Sequence, residues 1–337
     1  MGFAGGGTDV SPYSDEFGGY VLNATINLYS FCSITPRTDT RLEFRATDRD
    51  ESFEGEALPE LPLCGALQIH KGVYNRVVRQ FNSGRPLPCT IVTHSDAPAG
   101  SGLGTSSTMV VAIIGAFVEW LGLPLGDHDI AQLAFELERI ELGMPGGKQD
   151  QYAAVFGGFN FMEFLPENRV IVNPLQIAPA VCSELQANLV LYFTGASRES
   201  ATIIQQQIEN VVSRAKEPLE AMHQVKRDAL VLREHLQSGD IGRFAQGLGN
   251  TWEFKKRMST VISNAAIDSV LAQASAAGAT AGKVSGAGGG GFIMFMVEPP
   301  QREQLVRFLR SLGGRVYHPE FTRVGLETWS NPAGRPE

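Results

Sequence analysis

Apolar residues along this chain recur in two periods, and the places where one period gives way to the other mark out its elements. Tyr20-Val21-Leu22-Asn23-Ala24-Thr25-Ile26-Asn27-Leu28-Tyr29 alternates and is rich in β-branched and aromatic types, which predicts a strand after an opening glycine turn. Residues 38–64 are polar, acidic and proline-bearing, hence short strands and loops. Leu67, Val73, Val77, Val78 and Phe81 fall at helical spacing, and Cys89 to Thr93 reads as a strand that runs into a cluster of glycines. Thr105 to Leu121 is apolar on almost every side, so it predicts a central, buried helix. Asp127 or Asp129 can cap a further helix running to Leu142, where Gly143-Met144-Pro145-Gly146-Gly147 stops it. Gly158–Phe164 and Leu189–Thr194 predict a strand pair. Residues 200–277 read as mostly helical, with breaks near Pro218, Gly239 and Gly249, and the tail alternates strand and helix through Lys283–Val297, Arg302–Leu312 and Arg315–Val324. No segment repeats. The pattern predicts two α+β lobes, residues 1–175 and 176–337, meeting near 165–180 without a linker.

Composition narrows what such lobes can do. With 337 residues, 43% of them hydrophobic, the chain can bury a large core. A net charge of −8 disfavours a nucleic-acid or anionic-membrane surface, so an anionic substrate must find a small focused site. The four cysteines, Cys32, Cys64, Cys89 and Cys182, lie far apart with no Cys-x-x-Cys pair, as expected of free thiols and not of a zinc site. The longest apolar run, Met109 to Val118, is half of the ~20 residues a membrane span needs. Nothing at the start reads as a secretory signal, and the cytoplasm is the expected address.

The chemistry gathers at three glycine clusters. In Pro98-Ala99-Gly100-Ser101-Gly102-Leu103-Gly104-Thr105-Ser106-Ser107, the glycines let the backbone approach a ligand, and the adjoining helix start offers its free N–H groups to an anion such as phosphate. There is no lysine of the Walker type, so amides and helix dipole would carry the phosphates while hydroxyls serve a cation. Ser285-Gly286-Ala287-Gly288-Gly289-Gly290-Gly291 reads either as a hairpin or as a loop that passes close to a ligand. Gly5-Gly6-Gly7-Thr8-Asp9 sets a carboxylate beside flexible backbone, where Asp9 can cap a turn or accept hydrogen bonds from sugar hydroxyls. Glu138 and Asp150 could supply the metal ligand and the acceptor-side carboxylate of a kinase. Lys148 could stabilise the transferring group or bind an anion.

Taken together these residues resemble the GHMP small-molecule kinases, named for galactokinase, homoserine kinase, mevalonate kinase and phosphomevalonate kinase. The resemblance runs from Gly5 to about Phe295. It rests on the middle motif at Pro98–Ser107 joined with Lys283-Val284-Ser285-Gly286-Ala287-Gly288-Gly289-Gly290. It implies a two-lobed α+β GHMP kinase fold, with an N-terminal lobe like ribosomal protein S5 domain 2 and a ferredoxin-like C-terminal lobe. It further implies that Gly100, Ser101, Gly102, Leu103, Gly104, Thr105, Ser106 and Ser107 wrap the phosphates of ATP, and that Ser106 and Glu138 hold Mg²⁺. Asp150 then meets the acceptor hydroxyl as general base or electrostatic orienter, assisted by Lys148. Gly6, Gly7, Thr8, Asp9, Gly147, Arg198, Gly288 and Gly289 line the substrate side. Lys148, Arg198, Lys255 or Lys256 would neutralise a substrate phosphate.

Within the family, Phe3–Val10, Gly147–Ala154 and Gly286–Phe292 look most like members that phosphorylate the anomeric hydroxyl of D-glycero-D-manno-heptose 7-phosphate. The product would be heptose 1,7-bisphosphate, on the way to nucleotide-activated heptose for lipopolysaccharide or capsule. The resemblance also calls for an arginine nine residues ahead of Asp9, a position that falls just before Met1. Gly6-Gly7-Thr8-Asp9 stands where galactokinases carry Glu-His-Thr-Asp, which argues against galactose. Other readings are a kinase for mannose, fucose or another sugar, and a non-catalytic sugar or nucleotide sensor of the same fold. A dinucleotide-binding reading of Gly100-x-Gly102-x-x-Thr105 lacks the third glycine and the downstream acid. Apolar faces between residues 200 and 277 could serve a homodimer.

Overall fold

A computed structural model describes residues 1–195 and 200–331. Its first half runs β1 (Gly2–Ala4), α1 (Tyr13–Phe17), β2 (Gly19–Ala24), β3 (Ser30–Pro36), β4 (Arg41–Ala46), β5 (Glu51–Glu56), α2 (Gln68–Phe81), β6 (Cys89–Ser95), α3 (Thr105–Leu121), α4 (Asp127–Phe135), a π-helical turn (Glu136–Glu141), α5 (Gln149–Phe156), β7 (Phe159–Phe164) and β8 (Val170–Pro174). Its second half runs α6 (Pro179–Asn188), β9 (Leu189–Phe193), α7 (Ser200–Val212), α8 (Lys216–Ser238), α9 (Ile241–Arg257), α10 (Ala265–Ala276), β10 (Ala279–Val284), β11 (Phe292–Val297), α11 (Pro299–Ser311) and β12 (Arg315–Tyr317). The strands form three sheets ordered β1-β2-β7-β8, β3-β6-β4-β5 and β10-β11-β9-β12. The first and third are antiparallel throughout, whereas the second pairs β4 with β6 in parallel.

Helix α3 is central because its sequence leaves it no polar face: Val110, Ile113, Ile114 and Phe117 are all buried in a core whose members run from Val21 to Phe164. Gly122, left-handed at φ +61°, ends it. Strand β11 is buried at every residue for a different reason. Ile293, Phe295 and Val297 face a core built with α10 and α11, while the alternate Phe292, Met294 and Met296 face a core shared with α8, α9 and the first sheet. That shared core, which includes Phe3, Leu22, Phe159 and Phe161 from the N-terminal half and Leu232, Phe244 and Leu248 from the C-terminal half, also takes in residues flanking or within the glycine clusters, namely Ala4, Leu103 and Phe292. Fixing those clusters relative to one another is therefore work done by apolar packing.

Several expectations change in detail. The strand beginning at Tyr20 stops at Ala24, because Thr25 and Asn27 turn to the C-terminal segment: Ile26 bridges Phe321 and the Asn27 N–H donates to Glu320 O at 2.9 Å. Gly158–Phe164 and Leu189–Thr194 do form strands but do not pair with each other. β7 lies between β2 and β8, and β9 between β11 and β12. Pro218 lies in the first turn of α8, where a missing N–H costs nothing, and Gly249 lies inside α9, where it lets the helix approach Ala281 of β10. All four cysteines are free, and among the described residues no helix is long and apolar enough to cross a membrane.

The helix expected to run to Leu142 is regular only to Phe135. From Glu136 it widens into a π-helical turn, with the Leu142 N–H bonded to Leu137 O five residues back. Within this turn Glu138, four residues after the buried Ala134, is buried between α3 and α5.

Candidate active site

Strand β6 delivers the chain to Pro98, and α3 begins seven residues later. Gly100, Gly102 and Gly104 between them take φ of +67°, +79° and +75°, the left-handed region that favours glycine. Gly104 is the residue ahead of α3 and no side chain caps the helix start, so the first-turn amides of Thr105, Ser106 and Ser107 have no side-chain acceptor. The loop is braced from within by Ser101 Oγ with Thr105 Oγ1 at 3.2 Å and from below by Leu103, which packs on the shared core.

The third glycine cluster touches this loop backbone to backbone. The Phe292 N–H donates to Ser101 O at 2.9 Å, and Ser285 Oγ donates to Gly102 O at 3.0 Å. A Cβ on Gly102 would lie 2.7 Å from Ser285 O, so no larger residue allows the contact. Gly286 and Gly291 are the members that face the phosphate loop. Gly288 and Gly289 seat the cluster on the segment between α9 and α10: the Gly289 N–H donates to Ile262 O at 2.8 Å, and a Cβ on Gly288 would come to 2.6 Å of the same oxygen.

On the opposite side, Gly5-Gly6-Gly7-Thr8-Asp9 forms a turn above β2. Thr8 Oγ1 donates to Gly5 O at 2.8 Å and accepts from the Tyr20 N–H at 3.1 Å. Buried at 0% exposure, it ties the turn to β2. Asp9 does what a turn cap does and more. Its Oδ1 accepts from the Gly7 N–H at 3.0 Å and Gln149 Nε2 at 3.1 Å, while Oδ2 accepts from the Gln149 N–H at 3.1 Å. Any side chain at Gly147 would overlap Asp9 Oδ2. The carboxylate thus holds the start of α5, whose next residue is Asp150.

Asp150 lies against the phosphate loop, where a Cβ on Gly104 would come within 2.9 Å of its carboxyl carbon. Burial raises its pKa, with Arg139 opposing and Asp9 adding to the rise. Glu138, 1% exposed, accepts from Ser107 Oγ and Gln151 Nε2 at 2.6 Å each and pairs with Arg139 at 3.3 Å. Arg139 also donates to Gly147 O at 3.1 Å and to Ser107 Oγ at 3.3 Å, so one guanidinium joins the π-helical turn, the phosphate loop and the chain entering α5. The hydroxyl next to Ser107, Ser106 Oγ, is buried and makes no hydrogen bond.

Lys148 is 1% exposed, with its Nζ 3.7 Å from Asp15 Oδ1, 5.5 Å from the Phe135 ring centre and without a hydrogen bond. Burial lowers its pKa, while Asp15 and Asp9 pull it back up. Arg198 lies outside the described residues. Lys256 pairs with Glu253 at 2.9 Å and leaves the site, whereas Lys255 turns inward. Arg139, Gln149 and Gln151 carry much of this network, and the sequence pattern alone gives none of them a role of its own, although Gln149 and Gln151 lie within the Gly147–Ala154 segment. Their shared sequence signal is position, each standing next to Glu138 or Asp150.

The family described as GHMP kinases N terminal domain matches residues 68–158, and GHMP kinases C terminal matches residues 232–314. The chain is 47% identical over 329 residues, covering 98% of it and 96% of the relative, to a D-glycero-alpha-D-manno-heptose 7-phosphate kinase of Campylobacter jejuni. It superposes on the crystal structure of a D-glycero-D-manno-heptose 1-phosphate kinase from Bacteroides thetaiotaomicron with a TM-score of 0.83 at 46% identity, covering 98% and 97% of the two chains. A Lactococcus lactis galactokinase shares the fold at a TM-score of 0.71 and 16% identity, covering 96% and 93%. Two glycine loops in contact, a third whose Asp9 holds the helix of Asp150, a helix start open to an anion and the buried Glu138 beside it agree with these likenesses: the chain belongs to the GHMP kinases.

Proposed function

We propose that this protein transfers the γ-phosphoryl group of ATP to the anomeric C1 hydroxyl of D-glycero-D-manno-heptose 7-phosphate. The contact of Asp150 with Gly104 carries the reading, because it brings the acceptor-side carboxylate to the loop that would hold the nucleotide's phosphates. The amides of residues 102–107 bind the phosphate chain, and Asp150 orients or deprotonates the attacking hydroxyl. Asp9 and Gln149 fix the start of α5, so that Asp150 is set before substrate arrives. The likeness to the heptose 7-phosphate kinase supports the acceptor's identity, and the likeness to the heptose 1-phosphate kinase supports its class as a heptose phosphate.

Ser106 and Glu138 would hold Mg²⁺. Ser106 offers a buried hydroxyl without a hydrogen bond, and the buried Glu138 is bonded to the adjoining Ser107, so both present the hard oxygen donors that this ion takes. When bound, the ion neutralises charge on the phosphates. Lys148 serves as a charge-balancing residue beside Asp9 and Asp15. The two lobes fall at residues 1–175 and 176–337 and meet at their shared core.

ADP release measured over a panel of sugars and sugar phosphates tests the assignment. Heptose 7-phosphate is expected to give the highest kcat/KM, and Asp150→Asn to lower kcat by at least about a hundredfold. A better acceptor without a phosphate, or full activity of Asp150→Asn, contradicts it.

A further inference from the structure

Helix α9 carries an apolar stripe of Phe244, Leu248 and Trp252, and its buried face ends at a lysine. Lys255 is 4% exposed, although Lys256 and Arg257 beside it reach solvent and pair with Glu253 and Glu217. A buried ammonium is costly unless it is hydrogen-bonded or paired, and the partners of Lys255 are all parts of the site. Its Nζ donates to Gly286 O at 2.6 Å, in the third glycine cluster. It also lies 3.4 Å from where a Cβ on Gly6 would stand, with Gln149 Nε2 at 3.5 Å from the same point. The carboxylates that act on it are Asp9 and Asp150, and against them burial brings its pKa down to about 8. The neighbouring Lys283 is spent elsewhere, on Gly2 O at 3.1 Å and Phe3 O at 2.7 Å.

These contacts locate the charge. Gly286 is in van der Waals contact with Gly102, and Gly104, two residues further along the same loop, is in contact with Asp150. The short arc of phosphate loop from Gly102 to Gly104 is thus flanked by Lys255, through Gly286, at one end and by the acceptor-side carboxylate at the other. Glu138, Ser107 and Arg139 meet at the first turn of α3. One Lys255 proton is used by Gly286 O, and two remain.

Building on the proposed kinase activity, we infer that Lys255 is a further catalytic residue, which donates to the equatorial oxygens of the phosphoryl group while it passes from nucleotide to acceptor. That group spreads negative charge over three oxygens in the transition state, and a fixed cation in a water-poor site stabilises it there more than in the bound ground state. The bond that forms is acceptor oxygen to phosphorus, the bond that breaks is phosphorus to the bridging oxygen of ADP, and the acceptor's proton leaves toward Asp150. Lys255 keeps its own proton throughout.

Lys255→Met, Lys255→Arg and the surface control Lys256→Met test this by two readouts: steady-state kcat, and the affinity of the ADP–aluminium fluoride complex formed with the acceptor present. Lys255→Met is expected to lose at least about a hundredfold in kcat and a similar factor in affinity for the fluoride complex, with ATP affinity and Lys256→Met unchanged. Unchanged kcat, or equal losses of ATP and fluoride-complex affinity, overturns the inference, since the latter marks uniform binding. If Lys255→Met does not fold, Lys255→Arg carries the comparison. Lowered kcat and fluoride-complex affinity at constant ATP affinity then support the role, and wild-type values overturn it. The fluoride complex is formed on whichever acceptor the unsubstituted protein turns over, so failure of heptose 7-phosphate bears on the proposed substrate and leaves the Lys255 result intact.

Discussion

Asp9 accepts the backbone N–H of Gln149 at 3.1 Å across 140 residues of chain, so the first glycine turn caps the helix that carries Asp150. A residue type suited to sugar recognition is here also a structural clamp, with three donors on two oxygens. Asp9→Asn keeps one acceptor oxygen and must forfeit at least one of those bonds. It is expected to lower stability by about 1–2 kcal/mol and to lower kcat as the start of α5 loosens. Thermal melts beside steady-state kinetics check both, and an unchanged Tm would remove the clamp.

Gly104→Ala places a methyl group 2.9 Å from the Asp150 carboxyl carbon and asks alanine to hold φ +75°. The left-handed conformation alone costs about 1–2 kcal/mol. Because α3 packs through its apolar side chains and not through Gly104, circular dichroism is expected to be native while turnover falls at least about tenfold from displacement of Asp150. A variant with native turnover would show that the loop and the carboxylate need not touch.

Glu138→Gln replaces an acceptor by a side chain that carries its own donors, opposite Gln151 Nε2 and Ser107 Oγ. The Mg²⁺ concentration for half-maximal rate is expected to rise by about ten- to a hundredfold. Activity titrated against Mg²⁺ measures it, and an unshifted midpoint would take Glu138 out of the metal's reach.

Burial brings His70 down to about 4 in the folded chain, where its Nε2 meets Thr93 Oγ1 at 2.8 Å. The unfolded chain keeps the ordinary value near 6.5 and binds the proton first, so stability rises with pH between about 4 and 6.5 and is lost as pH falls through that window. The loss approaches about 3 kcal/mol. His70→Gln is expected to flatten this part of the stability profile in urea titrations, and an equally steep profile would place the acid sensitivity elsewhere.

How much of the fold and site is legible in the sequence depends on how local each signal is. Helix α3 occupies the span predicted for it, Thr105–Leu121, because an apolar run between two glycine stops needs no knowledge of neighbours. The contact between the phosphate loop and the third glycine cluster follows from four consecutive glycines only when the partner backbone is known. The widened turn at Glu136–Glu141 is invisible, since the buried positions Ile130, Leu133, Ala134, Leu137 and Glu138 keep the spacing of an ordinary helix and no glycine or proline marks the change. Gly249 misleads because a helix interior tolerates glycine where a strand must come close, and Ala281 is that strand. Arg139 reads as an ordinary surface charge until the loop at residues 143–148 folds back over it.

Phosphorus NMR of a reaction containing heptose 7-phosphate, ATP and Mg²⁺ addresses acceptor and position together. The expected spectrum gains one resonance for each ADP formed, a doublet coupled to the anomeric proton, beside an unaltered signal from the phosphate on C7. Free phosphate in its place, or a new ester on any carbon other than C1, would contradict the account.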